Sequence, residues 1–127
     1  MEVIKGLKYS ENHEWVRVEN GRAVVGLTDF AQEEFGIIVF VELPEEGDVF
    51  QAGEPFGSME SVKTVTELYA PVSGKVVSVN PKLTENPGVI NLSPYGQGWM
   101  IVVEMSDPAE LERLWEADKY EQTYVHE

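Results

Sequence analysis

Apolar and polar residues alternate in short runs along most of the chain, with the two-residue period of half-buried strands. Glu14-Trp15-Val16-Arg17-Val18-Glu19 sets Trp15, Arg17 and Glu19 against Glu14, Val16 and Val18. Asn20-Gly21 follows, the dipeptide that favours a two-residue hairpin turn, and Arg22 to Leu27 returns as its partner strand. Thr28 predicts the cap of a short helix over Asp29 to Glu34, with Gly36 just past its end. Ile37 to Leu43 is the most apolar strand and is predicted to be central, and Pro44 to Asp48 ends it with turn residues.

Two further segments face each other across a turn. Glu54 to Met59 reads as one strand and Thr64 to Tyr69, rich in β-branched and aromatic residues, as the next. Ala70 to Gly74 is a bend, Lys75 to Asn80 another alternating strand, Pro81 to Pro87 a polar loop, and Trp99 to Glu104 the last strand. A terminal helix is expected over about residues 107–117. Asp107 is its N-cap, Pro108 stands at the first helical position, and Glu110 completes a capping-box-like arrangement. Leu111, Leu114 and Trp115 give it one apolar stripe, and the polar tail from Lys119 onward is expected to fray. Val41 to Val49 and Leu68 to Val76 share an order of apolar strand, proline, glycine, apolar strand, which suits two similar halves packed face to face.

Many short strands with Gly/Pro punctuation and only peripheral helices predict a mainly β fold, a flattened antiparallel barrel or sandwich. The 127 residues suffice for one domain, with its core over about 22–104. Apolar residues make up 43% of the chain, enough for a core, yet no run reaches the length of a membrane span. Residues 1–6 lack the features of a secretory or transit signal, so a cytoplasmic setting is expected.

Charge narrows the partners. Twenty-three acidic residues against 9 basic ones leave a net of −14, which repels phosphate backbones and anionic lipid. Nucleic acid and membrane are therefore not expected partners, whereas proteins with basic docking surfaces are favoured. The absence of cysteine removes disulfides, thiolate nucleophiles and thiolate metal sites.

Enzyme motifs are missing. Gly96-Gln97-Gly98 precedes a strand rather than a helix, so it is no phosphate loop. His13 and His126 lie at opposite ends, and no serine is marked as a partner for either. Glu33-Glu34 and Glu45-Glu46 read as solvated pairs. No nucleophile–base pair can be named, and a non-catalytic role is expected.

Met59-Glu60-Ser61-Val62-Lys63-Thr64-Val65 is what remains: a lone lysine where two strands turn back on each other, displayed for another protein to reach. Phe56 to Thr64 resembles the lipoyl-attachment segment of the glycine cleavage system H protein family. Leu7-Lys8-Tyr9 with His13 to Val16, Gly26 to Gln32, Val39 to Pro44, and Ser93 to Met100 resemble that family in the same order, so the likeness runs from about residue 6 to 116.

The resemblance implies a fold of the lipoyl and biotinyl carrier type, with lipoate in amide linkage on Lys63. It also implies roles for Glu60 and Gly74 in recognition by the lipoylating enzyme, a lipoate ligase or a lipoyl/octanoyl transferase. It repairs a gap in local reasoning, because Ser61 to Thr64 lacks the Gly or Asn that tight turns favour. The residue after the lysine is often alanine in the family and is Thr64 here.

The implied work is a shuttle. Glycine decarboxylase, the P protein, transfers an aminomethyl group onto the arm. Aminomethyltransferase, the T protein, passes the methylene to tetrahydrofolate. Dihydrolipoamide dehydrogenase, the L protein, reoxidises the arm. A water-excluding cleft is expected to shield the loaded arm, with Glu14 as the carboxylate that meets its ammonium and Glu67 as second choice. The competing readings are a relay that hands lipoate to 2-oxoacid dehydrogenase complexes, a biotin carrier (disfavoured because Val62 and Thr64, not methionines, flank Lys63), and a lipoyl-free adaptor.

Overall fold

Asn20 and Gly21 take φ of 53° and 80°, the left-handed pair that lets β2 (Glu14–Glu19) fold directly back into β3 (Arg22–Leu27). The computed structural model describes residues 2–125. Around this hairpin a seven-stranded sheet forms in the order β10-β1-β2-β3-β9-β8-β5, from β1 (Lys8–Tyr9), β5 (Val49–Phe50), β8 (Gly74–Val79), β9 (Ile101–Met105) and β10 (Trp115–Glu116). A three-stranded sheet, β4 (Ile38–Glu42), β6 (Pro55–Ser61) and β7 (Val65–Tyr69), takes the order β4-β6-β7. All strand pairings are antiparallel. This is the expected mainly β sandwich, with its two sheets separate rather than closed into a barrel.

The alternation read from the sequence sorts side chains to two cores. Val16, Val25, Leu27, Val76, Ile101 and Val103 of the large sheet pack against Ile38, Val41, Met59 and Leu68 of the small one. On the other side of β2 and β3, Trp15 and Val24 join Tyr9 in a second cluster. The two echoing segments do comparable jobs. Each crosses from the small sheet to the large one, and they land side by side, Val49 opposite Lys75 and Phe50 opposite Gly74.

Helix α1 (Asp29–Phe35) starts where Thr28 Oγ1 accepts the Ala31 N–H at 3.1 Å. It stops at Gly36, whose φ of 83° suits a residue without a side chain. Beyond it several expectations fail. β4 is an edge strand of the small sheet, not a central one. Only Ile38 and Val41 face the core, while an irregularity between Ile38 and Phe40 leaves Val39 and Phe40 exposed. The stretch Pro81 to Pro87 is not all loop: Lys82–Glu85 is a helical turn (α2) that buries Leu83, and α3 (Val89–Leu92) follows.

The terminal helix expected over 107–117 is also absent as such. Asp107 does cap, taking the Ala109 N–H at 3.2 Å, but the chain winds into a 3₁₀ helix, Pro108–Arg113. Glu110 closes no capping box, because its carboxylate is claimed by Ser73, whose N–H and hydroxyl donate to it at 2.7 and 2.8 Å. β10 then pairs with β1, and α4 (Ala117–Tyr120) lies over the second cluster. Tyr120 is fully buried and stacks on Tyr9 at 4.8 Å, so this part of the expected frayed tail is packed. His126 lies outside the described residues. Among the described residues, no helix is long and apolar enough to cross a membrane.

Candidate functional site

β6 and β7 pair from Pro55–Tyr69 up to Glu60–Val65, which places Val62, Lys63 and Thr64 at the hairpin tip. The turn is held by Ser61 rather than by Gly or Asn. Its N–H donates to Thr64 O at 2.8 Å, and its side-chain oxygen accepts the N–H groups of Lys63 and Thr64, both at 3.1 Å. A serine hydroxyl bonding backbone two and three residues on is a turn-former in its own right, and the sequence reading missed it. The Thr64 side chain is exposed and plays no part in those bonds; its hydroxyl donates to Val65 O at 3.4 Å.

The tip is anchored on its flank by the Val62 N–H, which donates to Ile37 O at 3.0 Å. The Lys63 stem lies across Gly36, where an added Cβ would stand 3.4 Å from Lys63 Cε. Lys63 itself is exposed, and the ion pairs among the described residues, Lys8–Glu116 and Arg17–Glu19, leave its ammonium unengaged.

Below the tip, a cleft of about 160 Å³ runs along β7 between Thr66, Glu67, Leu68 and Tyr69 on one side and the β1–β2 connection on the other. The two candidate carboxylates meet here, since Glu14 and Glu67 both line it. Their settings differ. Glu67 is exposed on β7, opposite Ser58, whereas Glu14 is 1% exposed. The Ser10 hydroxyl donates to Glu14 Oε1 at 2.6 Å, and the Tyr69 N–H makes a longer bond of 3.4 Å to Oε2. Burial pushes the Glu14 carboxyl up to about 8, with the Ser10 and Tyr69 bonds opposing the rise. Glu14 is thus a buried acid at the cleft, not the solvated strand residue that alternation alone allows.

His13, also on the cleft, has φ of 74° and a Nδ1 contact of 2.8 Å with Tyr120 Oη, which lies 2.7 Å from Thr28 Oγ1. Burial lowers the His13 pKa, against a smaller opposing effect of Glu34, and keeps the ring neutral at physiological pH. Nothing in the sequence joins residues 13, 28 and 120.

The two remaining site residues fall apart in space. Glu60 sits exposed beside the tip, paired with Phe40 and Val65. Gly74 opens β8 in the other sheet, opposite Phe50 and Met105. A Cβ there would collide with the Glu104 carbonyl oxygen and stand 2.6 Å from Val103 Cγ1, so close strand packing already demands glycine.

The fold and the site define a carrier domain: a β scaffold presenting one lysine at a hairpin tip whose following strand lines a cleft with two carboxylates. Comparison with known proteins gives the class its particular family. The family model for the glycine cleavage H-protein matches residues 7–127. The glycine cleavage system H protein of Brevibacillus brevis is 65% identical over 121 residues, covering 95% of this chain and 96% of that one. That of Halalkalibacterium halodurans is 62% identical, covering 95% and 94%. The crystal structure of a glycine cleavage system H protein from Mycobacterium marinum superposes with a TM-score of 0.89 at 36% identity, over 95% of this chain and 98% of that one. The chain belongs to the glycine cleavage H-protein family, the lipoyl-carrying shuttles of the glycine cleavage system.

Proposed function

We propose that Lys63 is the attachment point for lipoate and that the cleft beneath it is where the arm is held between partners. The observation that carries this reading is an exposed lysine, without an ion-pair partner among the described residues, at a hairpin tip whose backbone is fixed by Ser61 and whose following strand lines a cleft with two carboxylates. The residues fit the group. The amine is free for acylation, the stem already lies over Gly36, and no protein thiol competes with the arm's sulfurs. Lipoate supplies a cyclic disulfide that opens to a dithiol, a two-electron carrier. Attachment forms an amide at Nζ: the ammonium gives up one proton to become the attacking amine and a second as the C–N bond forms, and the adenylate or thiol that activated the acyl group departs.

The chain's own contribution is binding, orientation and exclusion of water. Ser61 and the Val62–Ile37 bond set the direction of the lysine. Met59, Leu27 and Leu68 give the cleft an apolar floor, and Glu67 stands at its open side. Burial favours the protonated Glu14 carboxyl, and an uncharged amine entering the cleft takes that proton and pairs, as the ammonium, with the resulting carboxylate. The cleft is therefore selective for an amine-bearing arm over a neutral one. Glu60 acts in recognition by the lipoylating enzyme, and Gly74 contributes to it by holding the sheet geometry.

In this reading the chain is non-catalytic and cytoplasmic, and it works with the decarboxylase, the aminomethyltransferase and the dihydrolipoamide dehydrogenase. Intact mass of protein from native cells tests the attachment. A mass gain carrying two sulfurs, mapped to Lys63, is expected. A Lys63→Arg variant that still supports glycine–bicarbonate exchange with the decarboxylase would overturn the reading.

A further inference from the structure

Six of the large apolar side chains that the fold leaves exposed stand around the Lys63 end of the small sheet: Ile37, Val39, Phe40, Val62, Val65 and Leu92. The remaining two in that group, Val18 and Val49, belong to the other sheet. Strand register explains the arrangement. Phe40, Glu60 and Val65 are successive cross-strand partners on β4, β6 and β7, and all three are exposed. They form one row across the outer face of the sheet. The next row away from the tip is Glu42, Ser58 and Glu67. Val62 and Ile37 are joined through the Val62 N–H bond, and the Asn91 side chain ties α3 to Gly36 O and the Ile38 N–H, which brings Leu92 alongside.

The result is an apolar collar next to the lysine, with Glu60 set into it and acidic residues beyond it. Glu33 and Glu34 on α1, which ends at Gly36 against the lysine stem, extend the acidic border. A monomer gains nothing from leaving such side chains in water, and apolar patches rimmed by charge mark contact surfaces. Building on the reading of Lys63 as the attachment site, we propose that this collar is the docking surface for the lipoylating enzyme, whose matching face is apolar around its acyl site and basic at its rim.

Reach decides which partner the collar serves. Before modification the reacting atom is only one lysine side chain from the backbone, so the enzyme that acylates Nζ must bury the immediate surroundings of the tip. Partners that act on the finished arm can stand off by its length. Charge points the same way: Glu60, Glu42 and Glu67 with a net of −14 call for Lys and Arg opposite.

The test measures binding of the unmodified protein to purified lipoate ligase by calorimetry, alongside the KM and kcat of lipoylation read as mass gain. For Phe40→Asp and for Val65→Asp, Kd and KM are expected to rise about tenfold or more, as when a central interface contact is lost, with kcat little changed. Phe40→Leu is expected to restore binding. Val49→Asp adds the same charge in the other sheet and is expected to behave as wild type. All of these positions are exposed, and unchanged thermal unfolding will confirm intact folding. Wild-type affinity in both Phe40→Asp and Val65→Asp overturns the docking surface, as does an equal loss in Val49→Asp. A wild-type chain that takes no lipoyl mass on Lys63 overturns the attachment reading instead, so the two failures are distinct.

Discussion

The Ser10 hydroxyl holds Glu14 at two points: it donates to Glu14 Oε1 at 2.6 Å and accepts the Glu14 N–H at 3.1 Å. The first bond favours the ionised carboxyl and opposes the burial that raises it to about 8. Ser10→Ala is therefore expected to move the Glu14 titration midpoint further up, followed by carbon NMR of the carboxyl, while Ser10→Thr leaves it in place. A midpoint unchanged in Ser10→Ala would mean that the hydroxyl is not engaged with the acid.

Glu14 also makes stability depend on pH. Its carboxyl titrates at 4.5 in the ordinary state and at about 8 in the fold, so the folded protein holds a proton that the unfolded chain releases. The stabilisation is complete below pH 4.5 and is lost as pH rises through 8. Glu14→Gln removes this dependence. Denaturant unfolding of both proteins between pH 5 and 9 is expected to show their stability difference shifting toward the variant by on the order of a few kcal/mol. Parallel curves would refute the raised value.

The same titration governs the cleft's grip on a cation. Loss of ammonia from aminomethyl-charged protein is expected to be faster in Glu14→Ala than in wild type, and the gap is expected to widen as pH rises through about 8, above which the carboxylate predominates. Equal rates across that range would remove Glu14 from arm holding.

Gly74→Ala tests whether recognition or packing explains the glycine. The added methyl meets the Glu104 backbone and Val103, so a loss of about 1–3 kcal/mol in stability is expected, the usual range for overpacking a tight site. Thermal unfolding reads this without any modifying enzyme. A variant as stable as wild type yet poorly lipoylated would assign the residue to direct recognition.

At the tip, Ser61→Ala deletes the acceptor for two backbone N–H groups. Amide exchange at Lys63 and Thr64 is expected to accelerate, while the strand amides of β6 and β7 keep their protection. The rate of lipoylation is expected to fall with the loss of a fixed lysine direction.

Much of this protein is legible in neighbouring residues. Asn20-Gly21 makes its hairpin, Thr28 and Gly36 bound α1, and period-two alternation marks the strands, because each depends on backbone preferences within a few positions; the turn at Lys63, which lacks Gly or Asn, needed the family resemblance as well. The family-bearing segments carried the family. What local reasoning could not supply came from residues far apart in the chain. Ser73 takes the Glu110 carboxylate from its helix and leaves a 3₁₀ turn. Tyr120 returns to His13 and Thr28 and packs a tail whose composition reads as loose. β4, apolar enough to lie between two strands, ends at the sheet edge with Phe40 exposed, because which strands pair is decided by contacts across the fold. Glu14 shows the division most clearly. Alternation could place it on a strand, but the carboxyl's burial, its raised pKa and its meeting with Glu67 arise only when β7 closes against the β1–β2 connection, and desolvation is a property of the packed surroundings rather than of the residue.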